Sequence, residues 1–258
     1  MQINRNKIVG DDYQTSPDLM PRQPNKSLID GLKVLQFAIS YPQGVGVNTI
    51  ATELGIDTTK VHRLLRTLAA GGYLRQIKGR KYVPDAAIAV LAAQAMQGAG
   101  FVDHVYPILD ELHKSTGMLV AYGMLWNRQV TYLYHAKPGI KAGMGLAGHT
   151  LVDATQSRLG LAMLARLSQG ELELRYTKKE IPGFSSFKEL LGKLKMIQEN
   201  GYIYEKTNTK GDKTVAICFE KKPAISIAIA GKINKSKVDF WVKRLRDIET
   251  RIETPRML

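Results

Sequence analysis

The sequence predicts an α+β fold in two parts: an N-terminal winged helix-turn-helix, then, across a connecting helix, a mixed domain on a mainly antiparallel sheet. Three observations carry this expectation. Three short helical patterns run through residues 27–70 and stop at Gly71-Gly72. Two β-prone runs flanking Lys78-Gly79-Arg80-Lys81 follow at once and read as a hairpin. Beyond residue 100 the order becomes two strands, helices, three strands and a closing helix, which suits a mixed domain.

Residues 1–26 are polar, contain Pro17, Pro21 and Pro24, and show no period, so they read as a flexible arm. Arg5, Lys7, Arg22 and Lys26 would let that arm touch a phosphate backbone. Ser27–Ser40 is predicted helical, capped by Ser27 with Asp30 close to a capping-box position. Its expected core stripe is Leu28, Leu32, Leu35 and Ile39, with Val34 alongside. Val47–Leu54 is a second helix with Asn48 as its expected cap, and Asp57 or Thr58 caps a third.

In that third helix Val61, Leu64, Leu65 and Leu68 make one apolar stripe, while Thr59, Lys60, Arg63, Arg66 and Thr67 fall on the other side. Alone, this describes any surface helix with a solvated basic face. The context argues otherwise. From Lys60 to Lys81 there are seven basic residues and no acidic one. That one-signed run coincides with the two elements of a winged helix-turn-helix that meet DNA. The expected contacts are Thr58, Thr59, Lys60, His62, Arg63 and Arg66 in the major groove. Lys78, Arg80 and Lys81 on the wing would bind phosphates or enter the minor groove.

Asp85–Gln97 is an alanine-rich helix, too small and apolar to stand alone in water, which suits a connector packed against a second copy or the next domain. Phe101–Thr116 is amphipathic, with Val105, Ile108, Leu109 and Leu112 on one face. Met118–Leu125 and Val130–His135 form a hairpin, and the loop 137–148 follows. Asp153–Leu167 and Phe187–Asn200 are helices, Ile203–Lys206, Thr214–Phe219 and Ala224–Ala230 strands. Ser236–Glu253 closes the chain, with Ser236 as cap and Val238, Trp241, Val242, Leu245 and Ile248 buried.

Over 258 residues the net charge is +14, from 37 Lys+Arg against 23 Asp+Glu, which favours a polyanionic partner, nucleic acid or an anionic membrane surface. The single cysteine, Cys218, makes no internal disulfide and suits a reducing cytoplasm. No signal-peptide centre and no bilayer-length apolar run are present. His104 and His113 lack metal-ligand spacing, and no Walker loop or G-x-S-x-G elbow occurs. Gly143–Gly148 matches G-x-G-x-x-G, but no strand runs into its first glycine, so a dinucleotide-binding enzyme stays the second reading. No cofactor and no metal is expected.

Three segments resemble the IclR family of bacterial transcriptional regulators: LGIDTTKVHRLLRTLAAGGYL at Leu54–Leu74, LVDATQSRLGLAMLA at Leu151–Ala165, and GYIYEKTNTKGDKTVAICFEKKPAISIAIAG at Gly201–Gly231. The resemblance spans about residues 27–254. It implies a DNA-binding domain over 27–84, a dimerising linker helix over 85–100, and a GAF-like effector-binding domain over 101–258. Its implied partners are a double-stranded operator, a small organic effector such as an organic acid or aromatic, and one or three further copies of the chain. The effector positions carried over are Leu146, Thr155, Gln156, Glu205, Val215, Ala228 and Ala230. Here the sequence departs from the family: its flexible small-residue run is Ala154-Thr155-Gln156-Ser157, its strand cysteine is Val215 (Thr214 if the loop slips by one), and its paired serines are Ala228 and Ala230. These departures imply a more apolar ligand than a small carboxylate, or none.

Overall fold

The computed structural model describes residues 22–139, 151–176, 180–207 and 211–254. The Gly143–Gly148 match, Leu146 and all of the arm before Arg22 lie outside them. Chain contacts divide the protein into two compact units between Ala99 and Gly100.

The first unit holds α1 (Lys26–Ile39), β1 (Val45–Gly46), α2 (Val47–Leu54), α3 (Thr58–Ala70), β2 (Leu74–Ile77), β3 (Lys81–Pro84) and α4 (Ala86–Gly98). Its strands pair antiparallel in the order β1-β3-β2. Val61 and Leu65 of α3 are fully buried among Val34, Phe37, Ala38, Ile50 and Leu74, as the apolar stripe on α3 predicts. The expected stripe on α1 holds only for Leu35, which packs partly buried against the core, and for Val34 beside it. Leu28, Leu32 and Ile39 are exposed, and α1 buries Val34, Phe37 and Ala38. Two apolar faces share this helix, and the bulkier Phe37, stacked on Tyr41, takes the interior.

Two caps also differ. Asn25, not Ser27, caps α1 by accepting from the Leu28 amide at 3.1 Å, which leaves Asp30 free for another partner. Gly46 precedes α2 without a side-chain cap, because Asn48 already lies inside the helix. Asp57 caps α3 as expected, accepting from the Lys60 amide at 3.0 Å.

The second unit opens with a π turn, Phe101–Val105, and α5 (Tyr106–Thr116). Pro107 has no amide to offer the preceding turn, and the Tyr106 amide reaches back to Phe101 instead. There follow β4 (Leu119–Trp126), β5 (Gln129–Ala136), β6 (Val152–Asp153), α6 (Arg158–Leu164), α7 (Gln169–Tyr176), α8 (Phe187–Asn200), β7 (Ile203–Lys206), β8 (Lys213–Cys218), β9 (Ile225–Gly231) and α9 (Val238–Glu253). The six strands pair antiparallel in the order β6-β5-β4-β9-β8-β7. Ala121, Ala216 and Ala228 face α6 and α8. Alternation along the strands turns Val215, Ile217, Ile227 and Ile229 the other way, toward α5 and α9.

The helix expected over Asp153–Leu167 is shorter. β6 and a single 3-10 turn, Ala154–Gln156, occupy its start, and Ser157 caps α6 through the Gly160 amide. α7 has no counterpart in the sequence reading. Ser236 does not cap α9, because the Lys235–Lys237 turn leads directly into it. Trp241 and Val242 are half-buried, and Phe240 between this pair and Asp239 is exposed.

α6 sits so close to the preceding turn that a Cβ at Gly160 would lie 2.2 Å from the Ala154 carbonyl oxygen. Both atoms are held by main chain. Overpacking of this kind costs roughly 1–3 kcal/mol. Gly160→Ala should therefore lower the denaturation midpoint of the second unit with the m-value unchanged, measured by urea titration of the full chain.

Candidate nucleic-acid interface and effector face

α3 and the β2–β3 hairpin present the basic run to solvent. Thr58, Thr59, His62, Arg63 and Arg66 are exposed, as are Lys78, Arg80 and Lys81 at the hairpin tip. Burial of Val61 and Leu65 fixes the rotation of α3 about its axis, and that rotation sets Thr59, Arg63 and Arg66 outward at helical spacing. His62 is exposed as well. The hairpin tip turns through Gly79 at φ +79° and Arg80 at φ +57°. A left-handed pair at the tip suits glycine and strains arginine slightly, and it throws the flanking cations away from the strands.

Among the described residues, no carboxylate pairs with Arg63, Arg66, Lys78, Arg80 or Lys81. Lys60 is different. Its ammonium is bound by the Asp30 carboxylate of α1, and both side chains are partly buried. The sequence assigned Lys60 to base edges or phosphates. The structure ties it back to the scaffold, where it joins α1 to the start of α3. Asp30 is the residue that sequence reasoning misplaced, as a helix cap. The available signal was an acid one helix away from an otherwise unbroken basic run.

Of the positions carried over from the resemblance, Glu205, Val215, Ala228 and Ala230 are on strands of the second unit's sheet, Thr155 and Gln156 are in the turn before α6, and they do not all meet. Ala228 and Ala230 are buried on the face toward α6 and α8. Val215 is fully buried on the opposite face, paired with Ile229, whereas Thr214, the Cα partner of Ala230, shares the face of Ala228 and Ala230. Thr155 is buried, its hydroxyl lying 2.7 Å from both Asp153 Oδ1 and the Pro182 carbonyl with one proton to share between them, so it is spent on the fold. Gln156 is exposed. Glu205 is clamped between Lys193 and Arg158. On the same face the Tyr132 hydroxyl lies 2.8 Å from Ser157 Oγ. Burial raises the Tyr132 pKa, so the phenol stays neutral and acts as a hydrogen-bonding group.

A cleft of about 30 Å³ lies at the far end of α6, lined by Arg166, Tyr202 and Cys218 among others. A water needs about 10–15 Å³ of such space, so this cleft has room for about two waters and is too small for an organic molecule. The Cys218 thiol bonds the Pro223 carbonyl at 3.2 Å, and burial pushes its pKa up to about 12. It is an inert strand residue. His104 and His113 bond the main-chain carbonyls of Ile252 and Met118. Among the described residues no helix is by itself long and apolar enough to cross a membrane.

A family model described as the IclR helix-turn-helix domain matches residues 27–78. Transcriptional repressor IclR of Escherichia coli (strain K12) is 24% identical over 228 residues, covering 81% of each chain. The crystal structure of an IclR family transcriptional regulator from Brucella abortus matches 95% of this chain and 98% of its own, with TM-score 0.71 and 21% identity. An IclR homolog from Microbacterium hydrocarbonoxydans, solved in complex with 4-hydroxybenzoate, matches 88% of this chain and 97% of its own with TM-score 0.61 and 15% identity.

The Lys60–Asp30 pair makes a distinctive prediction. Asp30→Asn releases a cation at the head of α3, and each phosphate newly neutralised steepens log K against log salt by about 0.9. Titrating the variant into mixed-sequence duplex DNA at several salt concentrations should show that steeper slope. An unchanged slope would mean that Lys60 already reaches the backbone despite Asp30.

Proposed function

We propose that the chain is an IclR-type transcriptional regulator in which α3 reads an operator in the major groove while the β2–β3 wing anchors the phosphates beside it. The observation that carries this division is the unpaired, one-signed face of Thr59, Arg63 and Arg66, set outward by the burial of Val61 and Leu65. Arg63 is the base reader, since a bidentate contact to guanine is worth about 1–3 kcal/mol of discrimination. Lys78, Arg80 and Lys81 set affinity with little sequence preference. Lys60 positions α3.

The chain works as a homodimer or a homotetramer. Leu28, Leu32 and Ile39 on α1 and Val90 and Leu91 on α4 are exposed apolar side chains, and α4 buries none of its residues within its own unit. Such faces call for a partner surface, and a second copy supplies the self-complementary one. A small organic effector binds the second unit on the sheet face that carries Thr214, Ala228 and Ala230. The 4-hydroxybenzoate of the Microbacterium protein supports an aromatic or organic acid as its class. These relatives are regulators, which speaks against the dinucleotide-enzyme reading of Gly143–Gly148.

Arg63→Ala should lose roughly tenfold or more on a selected duplex and much less on a scrambled one, given about 1–3 kcal/mol per bidentate contact. Lys81→Ala should weaken both alike. Equal losses for the two variants on both duplexes would contradict the division between reading and anchoring. A thermal-shift screen of aromatic and aliphatic acids tests the effector class, because a ligand at about 100 Kd stabilises by roughly 2.7 kcal/mol.

A further inference from the structure

The head does not account for most of the chain's charge. Residues 1–99 carry 12 Lys+Arg against 7 Asp+Glu, a net +5, whereas residues 100–258 carry 25 against 16, a net +9. A domain that only senses a small molecule has no need of that excess. Part of it gathers at one end of the six-stranded sheet. Lys206 of β7 is the Cα partner of Lys213 of β8, and Lys213 is the partner of Gly231 of β9, which leads into Lys232. Adjacent strands are about 4.8 Å apart, so Lys206 and Lys213 are side by side on neighbouring strands, and Lys232 lies just past β9 at the same end of the sheet. Lys235 and Lys237 follow on the turn into α9. Tyr204 ties that turn to the sheet by donating to the Ile233 carbonyl at 2.9 Å, and its ring lies 5.4 Å from Lys213 Nζ.

Lys206, Lys232, Lys235 and Lys237 are exposed, and Lys213 is half-buried. Among the described residues none of the five has an acidic partner within ion-pair distance. Two acids, Asp212 and Asp239, lie nearby in sequence, and Glu205 is already clamped by Lys193 and Arg158. Leaving five like charges close together costs folding free energy through their mutual repulsion, and a polyanion relieves that cost.

We propose that this lysine row is a second DNA contact, holding the phosphate backbone that flanks the operator. Lysine ammoniums suit the purpose because they bind phosphates as point charges and carry no sequence preference. The occupant is duplex DNA because the same chain already holds DNA through its head, and tethering raises the flank's effective concentration toward about the millimolar range. The contact adds affinity and salt dependence to any site with sufficient flanking sequence and leaves base selection to α3. It rests on the DNA-binding reading above.

The test uses the full-length protein, the triple variant Lys232→Glu/Lys235→Glu/Lys237→Glu, and two duplexes selected by the wild type. One duplex covers only the head's footprint, and the other adds random flanks. Acids at the start of α9 favour its helix dipole, so the variant should fold, and a Lys→Gln triple at the same positions serves as a milder control. The wild-type salt slope should be steeper on the flanked duplex by about 0.9 per phosphate, about 2.7 for three contacts, or roughly fortyfold in affinity between 50 and 200 mM salt. Both variants should lose that increment and match the wild type on the short duplex. Equal wild-type slopes on the two duplexes overturn the proposal. So does a variant that binds both duplexes as the wild type does but no longer binds phosphatidylserine vesicles, since that assigns the row to a membrane surface. Failure of the wild type to bind the short duplex strikes the operator reading instead.

Discussion

Everything at the DNA-facing end depends on how α3 is rotated about its own axis. Val61 and Leu65 are fully buried against α1, α2 and β2, and a helix side chain every 100° leaves no freedom once two such positions are fixed. That packing decides that Thr59, Arg63 and Arg66 face outward together. The Asp57 cap fixes where the helix begins, and the Lys60–Asp30 pair ties its first turn to α1. Burying a residue such as Leu65 contributes about 1.5–3 kcal/mol, far more than a partly exposed ion pair, which is worth at most about 1. The apolar contacts therefore orient the reading face, and the ion pair trims its charge.

The sequence made the head largely legible, because its signals are local. Asp57, the Val61–Leu68 stripe and Gly71-Gly72 describe one helix completely, and Lys78-Gly79-Arg80-Lys81 describes one turn. Reading failed where a residue's role was set by something distant. α1 has two apolar stripes, and the choice between them depends on α2 and α3, so Leu28, Leu32 and Ile39 were placed inside when they are outside. Asp30 and Lys60 are thirty positions apart and meet only through the fold. The two residues of β1 are too few to show a period, and they are visible only as partners of β3.

The second unit shows the same limit on a larger scale. Its strands other than β6 and its long helix α8 are periodic and agree with the sequence reading, but β6 and the turn from it into α6 do not. That turn is shaped by Gly160 packed on the Ala154 carbonyl and by Thr155 bonded to Asp153 and Pro182. Strand parity then separates residues that the family resemblance groups: Val215 and Ala228 lie on opposite faces of the sheet. A one-residue shift along a strand exchanges faces, and that is why Thr214, not Val215, shares the face of Ala228 and Ala230. The side chains on this face are small, and the Tyr132 phenol beside Ser157 is kept neutral by burial.

The central claim is that one face of α3, fixed by its buried residues, selects the DNA sequence. Selection of duplexes from a random library by the full-length protein tests it most directly, repeated with Arg63→Ala. The account predicts two related half-sites whose centres lie about one helical turn, or a multiple of it, apart. It further predicts that Arg63→Ala relaxes the preference at one or two symmetric base pairs and leaves the spacing intact. An enriched motif indifferent to Arg63, or no enrichment over the starting library, would contradict it.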